Sequence, residues 1–451
     1  MTREKLSPYI KFVVSLGEFA PSVAVGTVIP FYFLFFMINV AHIDPGLAGT
    51  VLLVARLWDA INDPLVGNLS DKTRSVWGRR RPYMLLGAVP TGILFTLLWI
   101  VPPWGDLDRT LYYLIVYILF DTAFTVVTAP YSALTPELTL DADERTSLIT
   151  WRMAVSIITG LAAALGMEAV LNLMPSLQVG FAVVGVVIGV VGIFPYLWIV
   201  AVVRERPEFQ QEDGVSLLEG LRVVLTNRPF WLALATDALA WISVSLVAET
   251  FAFFLVCWGG MLAEDSPMMM GVILASAAAF LPLVIWLSNR LEKKWAYVIC
   301  TATWMVVHVA LWFVPRFTMI PIYVVAVIAG LGVSSAHVLP GAMSIDVLES
   351  VELESGRRQE GIFAGVSAFF RKLGFSVVGF AVGWVLKLTG YVADTADQTA
   401  GALTGLRVMI TWVPLVLLCL AIWAAVAFPI TRAVHARMVA ELEARRATSS
   451  N

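Results

Sequence analysis

The chain is poor in charge. Asp, Glu, Lys and Arg make up 14% of its 451 residues, against roughly a quarter in a soluble globular domain. Histidine and cysteine are scarcer still, at four and three residues. Cys257, Cys300 and Cys419 all fall inside apolar runs, which excludes a disulfide framework and gives no metal-ligand spacing. Neither G-x-S-x-G nor H-E-x-x-H occurs. His308 and His337 stand alone in apolar segments, where an isolated histidine is more often packed than catalytic. An intramembrane hydrolase therefore finds no support. A net charge of −3 argues against a nucleic-acid partner.

What fills the chain is apolar: 59% of residues are hydrophobic and the mean hydropathy is +0.83. Runs near or above the roughly 20 residues needed to cross a bilayer recur along the whole length. We read twelve spans, at 9–41, 46–70, 82–102, 108–137, 147–172, 179–203, 229–260, 267–289, 296–315, 318–346, 360–390 and 402–430. The fold class is an all-α polytopic membrane protein. The first run retains Glu18 and is too long for a cleavable signal peptide. With both termini on the cytoplasmic side, 22 of the 30 basic residues lie on that side. Only Arg109, Arg316, Lys387 and Arg407 lie outside, and Arg56, Arg152, Arg371 and Lys372 fall within spans. The expected location is a plasma (inner) membrane.

The polar break "RERPEFQQEDGVSLLEGLRVVLTNRPF" divides the spans six and six. The expected units are a first six-helix half over 1–203, a central cytoplasmic loop over 204–228, a second half over 229–431 and a tail over 432–451. "VSLLEGLRVVL" is amphipathic and suits the membrane surface. The tail is polar and reads as a helix that frays at its end. The halves echo each other. "LSDKTRSVWGRRRPYML" after span 2 matches "LSNRLEKKWAYVI" after span 8, and "ALTPELTLDADERT" after span 4 matches "AMSIDVLESVELESGRR" after span 10. A parallel repeat of two six-helix halves is the plan of the major facilitator fold.

Against this background Glu18, Arg56, Asp59, Asp63, Asp121, Arg152, Glu168, Asp237, Glu249, Arg371 and Lys372 all fall within spans. An ionisable side chain at mid-bilayer costs about 2.5–3.5 kcal/mol on insertion scales, so such groups face one another or a hydrated path. Glu168, Asp237 and Glu249 can be placed at helix ends. Asp59 and Asp63, in "RLWDAINDPLVG", cannot. Four residues apart, they share one helical face. Two such carboxylates repel unless a proton or a cation sits between them. A small hard cation would find oxygen ligands there, with backbone carbonyls freed at Pro64 and Gly67 as additional donors. The competing view pairs Arg56 with one aspartate and has Asp63 cap a helix break at Pro64. The basic run Arg79, Arg80 and Arg81, with Gly67 and Asp71, retains topology by its charge and is also a candidate latch between helix ends.

Four ordered blocks carry a family resemblance: "LLVARLWDAINDPLVG" with "TRSVWGRRRP", "APYSALTPELTLDADERT", "WRM", and "SIDVLESVELESGRRQEGIFAGVSAFFRKLG". They resemble the glycoside–pentoside–hexuronide:cation symporters of the major facilitator superfamily, the melibiose-permease-like branch included. The resemblance implies twelve helices in two pseudo-symmetric halves and alternating access. It also implies Na+, or H+, as the co-transported ion in place of any resident cofactor. Cation ligands would be Asp59 and Asp63, with Asn62 and Thr128 beside them. Lys372 would lie near the cation, and Arg152 would contact solute.

Much of the sugar-binding kit of that branch is missing. Its acids on spans 1 and 4 become Val23 and Thr128, with Glu18 five residues from the first. Its tryptophans on spans 4 and 10 become Ser132 and His337. The same blocks are also similar to the lysophosphatidylcholine symporters, where Arg152 aligns without a gap. The expected function is cation-coupled symport of a sugar or glycoside, with an amphiphilic anion such as a lysophospholipid as the alternative. A non-coupled scramblase or sensor is more remote. Candidate solute residues are Glu18, Phe124, Ser132, Arg152, His337 and Lys372; candidate gating residues are Gly67, Asp71, Arg79, Arg80, Arg81 and Asp346. The expected partners are the solute, a monovalent cation and the lipid bilayer, with the chain acting as a monomer.

Overall fold

A computed structural model describes residues 6–139, 142–205, 226–263, 266–355, 360–393, 395 and 397–449. It is helical almost throughout. We number the crossing segments α1 (Pro8–Asn39), α2 (Pro45–Lys72), α3 (Arg81–Leu98), α4 (Asp106–Glu137), α5 (Ala142–Leu173), α6 (Leu177–Val202), α7 (Arg228–Gly259), α8 (Ser266–Arg290), α9 (Lys293–Phe313), α10 (Met319–Ser355), α11 (Glu360–Leu388) and α12 (Ala400–Ala427). Eleven of these are long and apolar enough to cross a membrane. The remaining one, α2, is 28 residues long and carries Arg56, Asp59, Asp63, Asp71 and Lys72. A polar helix α13 (Arg432–Ser449) follows, as the tail sequence predicts. The amphipathic segment expected in the central loop lies outside the described residues.

Local sequence explains where the helices begin. Ser7, Asp44, Ser176, Asn227 and Thr399 each accept a backbone N–H of the first turn, the role short polar side chains fill at helix starts. Proline follows the cap directly at Pro8 and Pro45 and one residue later at Pro229, first-turn positions where its missing N–H has no partner to lose. Span 10 runs on to Ser355, beyond the expected 346, because Leu348 to Leu353 continue its buried face with Val351. Inside α1, Pro21–Phe33 is wound as a wider π-helix around Pro30. Thr27 donates its hydroxyl to the Ser22 carbonyl at 3.0 Å, taking up an acceptor of that loosened stretch. By contrast α2 continues through Pro64 without a break, so Asp63 caps nothing.

The two ends of the bundle differ. At the end away from the chain termini, α2 lies directly against α11. A methyl group on Gly49 would sit 2.9 Å from the Gly379 carbonyl oxygen, and one on Gly383 would collide with the Pro45 carbonyl. Glycine permits this backbone approach. Around it, Asp44 pairs with Lys387 at 3.1 Å, and the Tyr391 hydroxyl meets Asn39 Oδ1 at 2.8 Å. The Phe253 ring contacts both Phe35 and Tyr391. Apart from the Phe253–Tyr391 contact, all of these join the first six spans to the last six. At the end bearing the termini, positions Gly67, Gly341 and Gly365 have open space where a Cβ would stand. The glycine approach and the Asp44–Lys387 and Asn39–Tyr391 pairs close the end away from the termini.

Candidate cation and solute sites

Asp59 and Asp63 sit one turn apart on α2, both facing Lys372 of α11. Its ammonium lies 2.6 Å from Asp59 Oδ1 and 2.5 Å from Asp63 Oδ2. The Thr125 hydroxyl of α4 donates to Asp63 Oδ1 at 3.0 Å. One turn earlier on α4, Asp121 lies within side-chain reach of Asp59. Its Oδ2 is buried without a hydrogen bond, as is the Asn62 amide nitrogen between the two aspartates. Trp58 Nε1 donates to Thr122 Oγ1 at 2.8 Å and holds α2 to α4 at this level. The cluster therefore gathers three carboxylates and a hydroxyl around one ammonium.

Two expectations need correcting here. Thr128 does not reach the carboxylates; its hydroxyl donates to the Phe124 carbonyl of its own helix at 2.9 Å. Thr125 fills the place. Arg56 does not neutralise Asp59 either. It crosses to the last six spans, pairing with Glu249 Oε1 at 2.6 Å and donating to the Phe375 carbonyl at 2.6 Å. Glu249 is accordingly well inside α7 rather than at a helix end, with its side chain 1% exposed.

Glu18 and Arg152, both proposed as solute ligands, hold each other. Arg152 Nε donates to Glu18 Oε1 at 2.6 Å, and the guanidinium carbon lies 4.6 Å from the Tyr131 ring centroid. Tyr131 closes the group, its hydroxyl 3.3 Å from the same carboxylate oxygen. Ser132 is exposed and Phe124 half-buried, with its ring 5.7 Å from Phe120. On the other side His337 is exposed, its Nδ1 2.8 Å from the Val333 carbonyl. Its ring stands 4.5 Å from Trp241. Arg371 lies over the same Trp241 at 5.8 Å and faces Asp237 at 3.8 Å. The flat aromatic surface that the sequence appeared to lose on span 10 is thus present on span 7.

The gating candidates fall into separate groups. Glu205 accepts the backbone N–H groups of Arg79, Arg80 and Arg81 at 2.8, 2.8 and 2.9 Å. Gly78, at φ +100°, makes the turn that aims them together at the start of α3. The Arg81 guanidinium also reaches the Val200 carbonyl. These bonds tie the loop to the end of α6, within the first six spans. Asp346 pairs with Lys293 at 2.6 Å and with His435 of α13 at 3.3 Å, within the last six and the tail. The Asp71 side chain lies outside the described residues. Gly67 faces open space.

Thr125, Asp121, Tyr131 and Trp241 were not among the site residues read from the sequence. The pair Asp121 and Thr125 had a usable signal, since it repeats on α4 the four-residue spacing of Asp59 and Asp63. Trp241 had none: it is one tryptophan among 16.

A bundle of this size, with paired charges along its interior, is a secondary transporter of the major facilitator type. The chain belongs to the MFS/sugar transport protein family, whose model matches residues 14–432. It is 29% identical to an uncharacterised symporter of Synechocystis, over 99% of this chain and 98% of that one. A sodium-dependent lysophosphatidylcholine symporter of Danio rerio is 27% identical over 95% of this chain and 87% of its own. The isoprimeverose transporter of Lactiplantibacillus pentosus is 26% identical over 97% and 91%. Among solved structures, a bacterial homolog of the human lysosomal transporter Spinster superposes with a TM-score of 0.70 at 14% identity, covering 94% of this chain and 98% of that one. The protein is an integral membrane transporter, not an enzyme.

Proposed function

We propose that the chain couples inward movement of a monovalent cation, Na+ by preference, to uptake of a glycoside-type solute by alternating access. One observation carries the coupling: the Lys372 ammonium occupies the position between Asp59 and Asp63 that a small cation would take. A cation entering there displaces an ammonium from the last six spans out of a carboxylate pair in the first six. Ion binding thereby changes how the two sets of helices hold each other, and both ligands can favour the same state of the cavity. The charge count supports this. The interior pairs described above hold six carboxylates (Glu18, Asp59, Asp63, Asp121, Asp237 and Glu249) and four cations (Arg56, Arg152, Arg371 and Lys372). The excess of carboxyl groups over cations is local to Asp59, Asp63 and Asp121. Thr125 Oγ1, which meets Asp63, adds a further hard oxygen donor of the kind suited to Na+.

The solute reading rests on the half-buried Trp241, an aromatic ring of the kind sugars stack on, near Arg371 and Asp237, with Arg152 paired to Glu18. Lysophospholipid carriage is the second reading, favoured by the relative from Danio rerio. With the basic, termini-bearing end cytoplasmic, the glycine contact of α2 with α11 closes the outer end and serves as the outer gate. Purified protein in proteoliposomes would be tested for uptake driven by Na+ or proton gradients, with Asp59→Cys and Asp63→Cys beside it. Uptake should follow the Na+ gradient in the native chain and lose that dependence in both variants. Unchanged dependence in both removes the ligand assignment, and flux indifferent to every gradient favours a scramblase.

A further inference from the structure

Among the described residues, four cations lie in the middle stretches of the spans, and three are held at short range. Arg56 has Glu249 at 2.6 Å and a backbone carbonyl. Arg152 has Glu18 at 2.6 Å, and Lys372 has two aspartates. Arg371 is different. Its nearest carboxylate oxygen, on Asp237, is 3.8 Å away, beyond hydrogen-bond length. Among the described residues, none of its five N–H donors is engaged in a hydrogen bond. Its side chain is 34% exposed, against 12% for Asp237. The guanidinium stands 5.8 Å from the Trp241 ring, and the exposed His337 packs on the same ring.

A partly exposed guanidinium left with free donors beside an aromatic ring has the chemistry of an oxyanion receptor: its fork matches a carboxylate or phosphate in two parallel bonds. Asp237 lies near enough to hold the charge in place and too far to satisfy it. Nothing comparable is offered to a neutral hydroxyl by Arg152, which is committed to Glu18. We propose that Arg371, with Trp241 and His337, forms the specificity subsite for the solute, and that the solute carries a carboxylate or phosphate group next to a flat or apolar portion that lies on Trp241.

This rests on the symporter reading and adds to it the charge of the cargo. It also gives the coupling a short route. Arg371 and Lys372 are consecutive on α11, so their side chains leave the helix about 100° apart. One points to the cation ligands of α2, the other to the solute subsite on α7. Any rotation or shift of α11 that follows release of Lys372 moves Arg371 with it.

The test is ligand-induced thermal stabilisation of the full chain in nanodiscs, with and without Na+. Two matched probe pairs are used: 4-nitrophenyl glucuronide against 4-nitrophenyl glucoside, and lysophosphatidic acid against monoacylglycerol. The expected result is that one pair stabilises the protein, its anionic member at a concentration at least tenfold below the neutral one. The responding pair decides between a sugar carboxylate and a lipid phosphate. Arg371→Gln should abolish the anion preference and Arg371→Lys should keep part of it, while both retain the Na+-induced shift. Equal or better response to the neutral members, no response to either anion, or a preference surviving in Arg371→Gln overturns the proposal. So does loss of the Na+ shift in Arg371→Gln, which would place the residue in the cation site. A native chain that prefers the anion but shows no Na+ shift would sink Na+ coupling and leave this subsite standing.

Discussion

On the proposed function Lys372 is the resident cation of the site, and replacing it with methionine tests that role directly. Methionine keeps most of the length and removes the charge. In the structure the ammonium makes two short contacts, at 2.6 and 2.5 Å. A hydrogen bond to a charged group contributes about 1.5–3 kcal/mol net. Asp63 is 40% exposed on its side chain, so solvent screens that contact and the lower end of the range applies. An entering cation must give up one or both contacts, a cost of about 1.5–3 kcal/mol, which at about 1.4 kcal/mol per decade corresponds to roughly 10–100-fold in affinity. Lys372→Met should therefore bind Na+ roughly 10–100-fold more tightly than the native chain. It should also melt earlier without Na+, because Asp59, Asp63 and Asp121 then face one another uncompensated. Calorimetric titration of Na+ into purified protein, with melting curves at each concentration, reads both effects. A folded variant whose Na+ affinity is unchanged or weaker would refute the reasoning, since Lys372 would then be a helper of the cation rather than its competitor.

Two further outcomes follow from the ends of the bundle. Gly383→Val should prop open the contact between α2 and α11, because the added carbon collides with the Pro45 carbonyl. Thr50→Cys should then react faster with a membrane-impermeant thiol reagent applied from the outer side and transport should fall; an unchanged labelling rate would remove this contact as the outer gate. Glu205→Ala should destabilise the chain by about 2–4 kcal/mol, since three backbone N–H groups lose a shared carboxylate at a solvent-accessible end. Its melting temperature should drop without any change in Na+ affinity, and an unshifted melting curve would show that water replaces the carboxylate at no cost.

The sequence by itself determined the membrane class, the number of spans and the singular character of span 2. Those follow from features local in the chain: apolar run length against bilayer thickness, the distribution of Lys and Arg, and a four-residue spacing that puts Asp59 and Asp63 on one face. The family resemblance added Lys372 as a neighbour of that pair, and the geometry agrees. Partnership between distant charges was not legible in this way. Charge alone allowed Arg56 to pair with Asp59, three residues away, yet it meets Glu249, far along the chain on α7. The sequence reading put Thr128 beside the carboxylates, yet Thr125 is the threonine that meets Asp63. Thr125 and Thr128 are equivalent in composition, and only the packing of α4 against α2 gives Asp63 to one and leaves the other bonded to its own helix. The loss of a tryptophan at His337 suggested a dismantled sugar site, but Trp241 arrives beside it from another span. Helix identity is set by hydropathy along one segment. Which charged faces meet is set by the rotation and approach of segments hundreds of residues apart, and only the assembled bundle decides that.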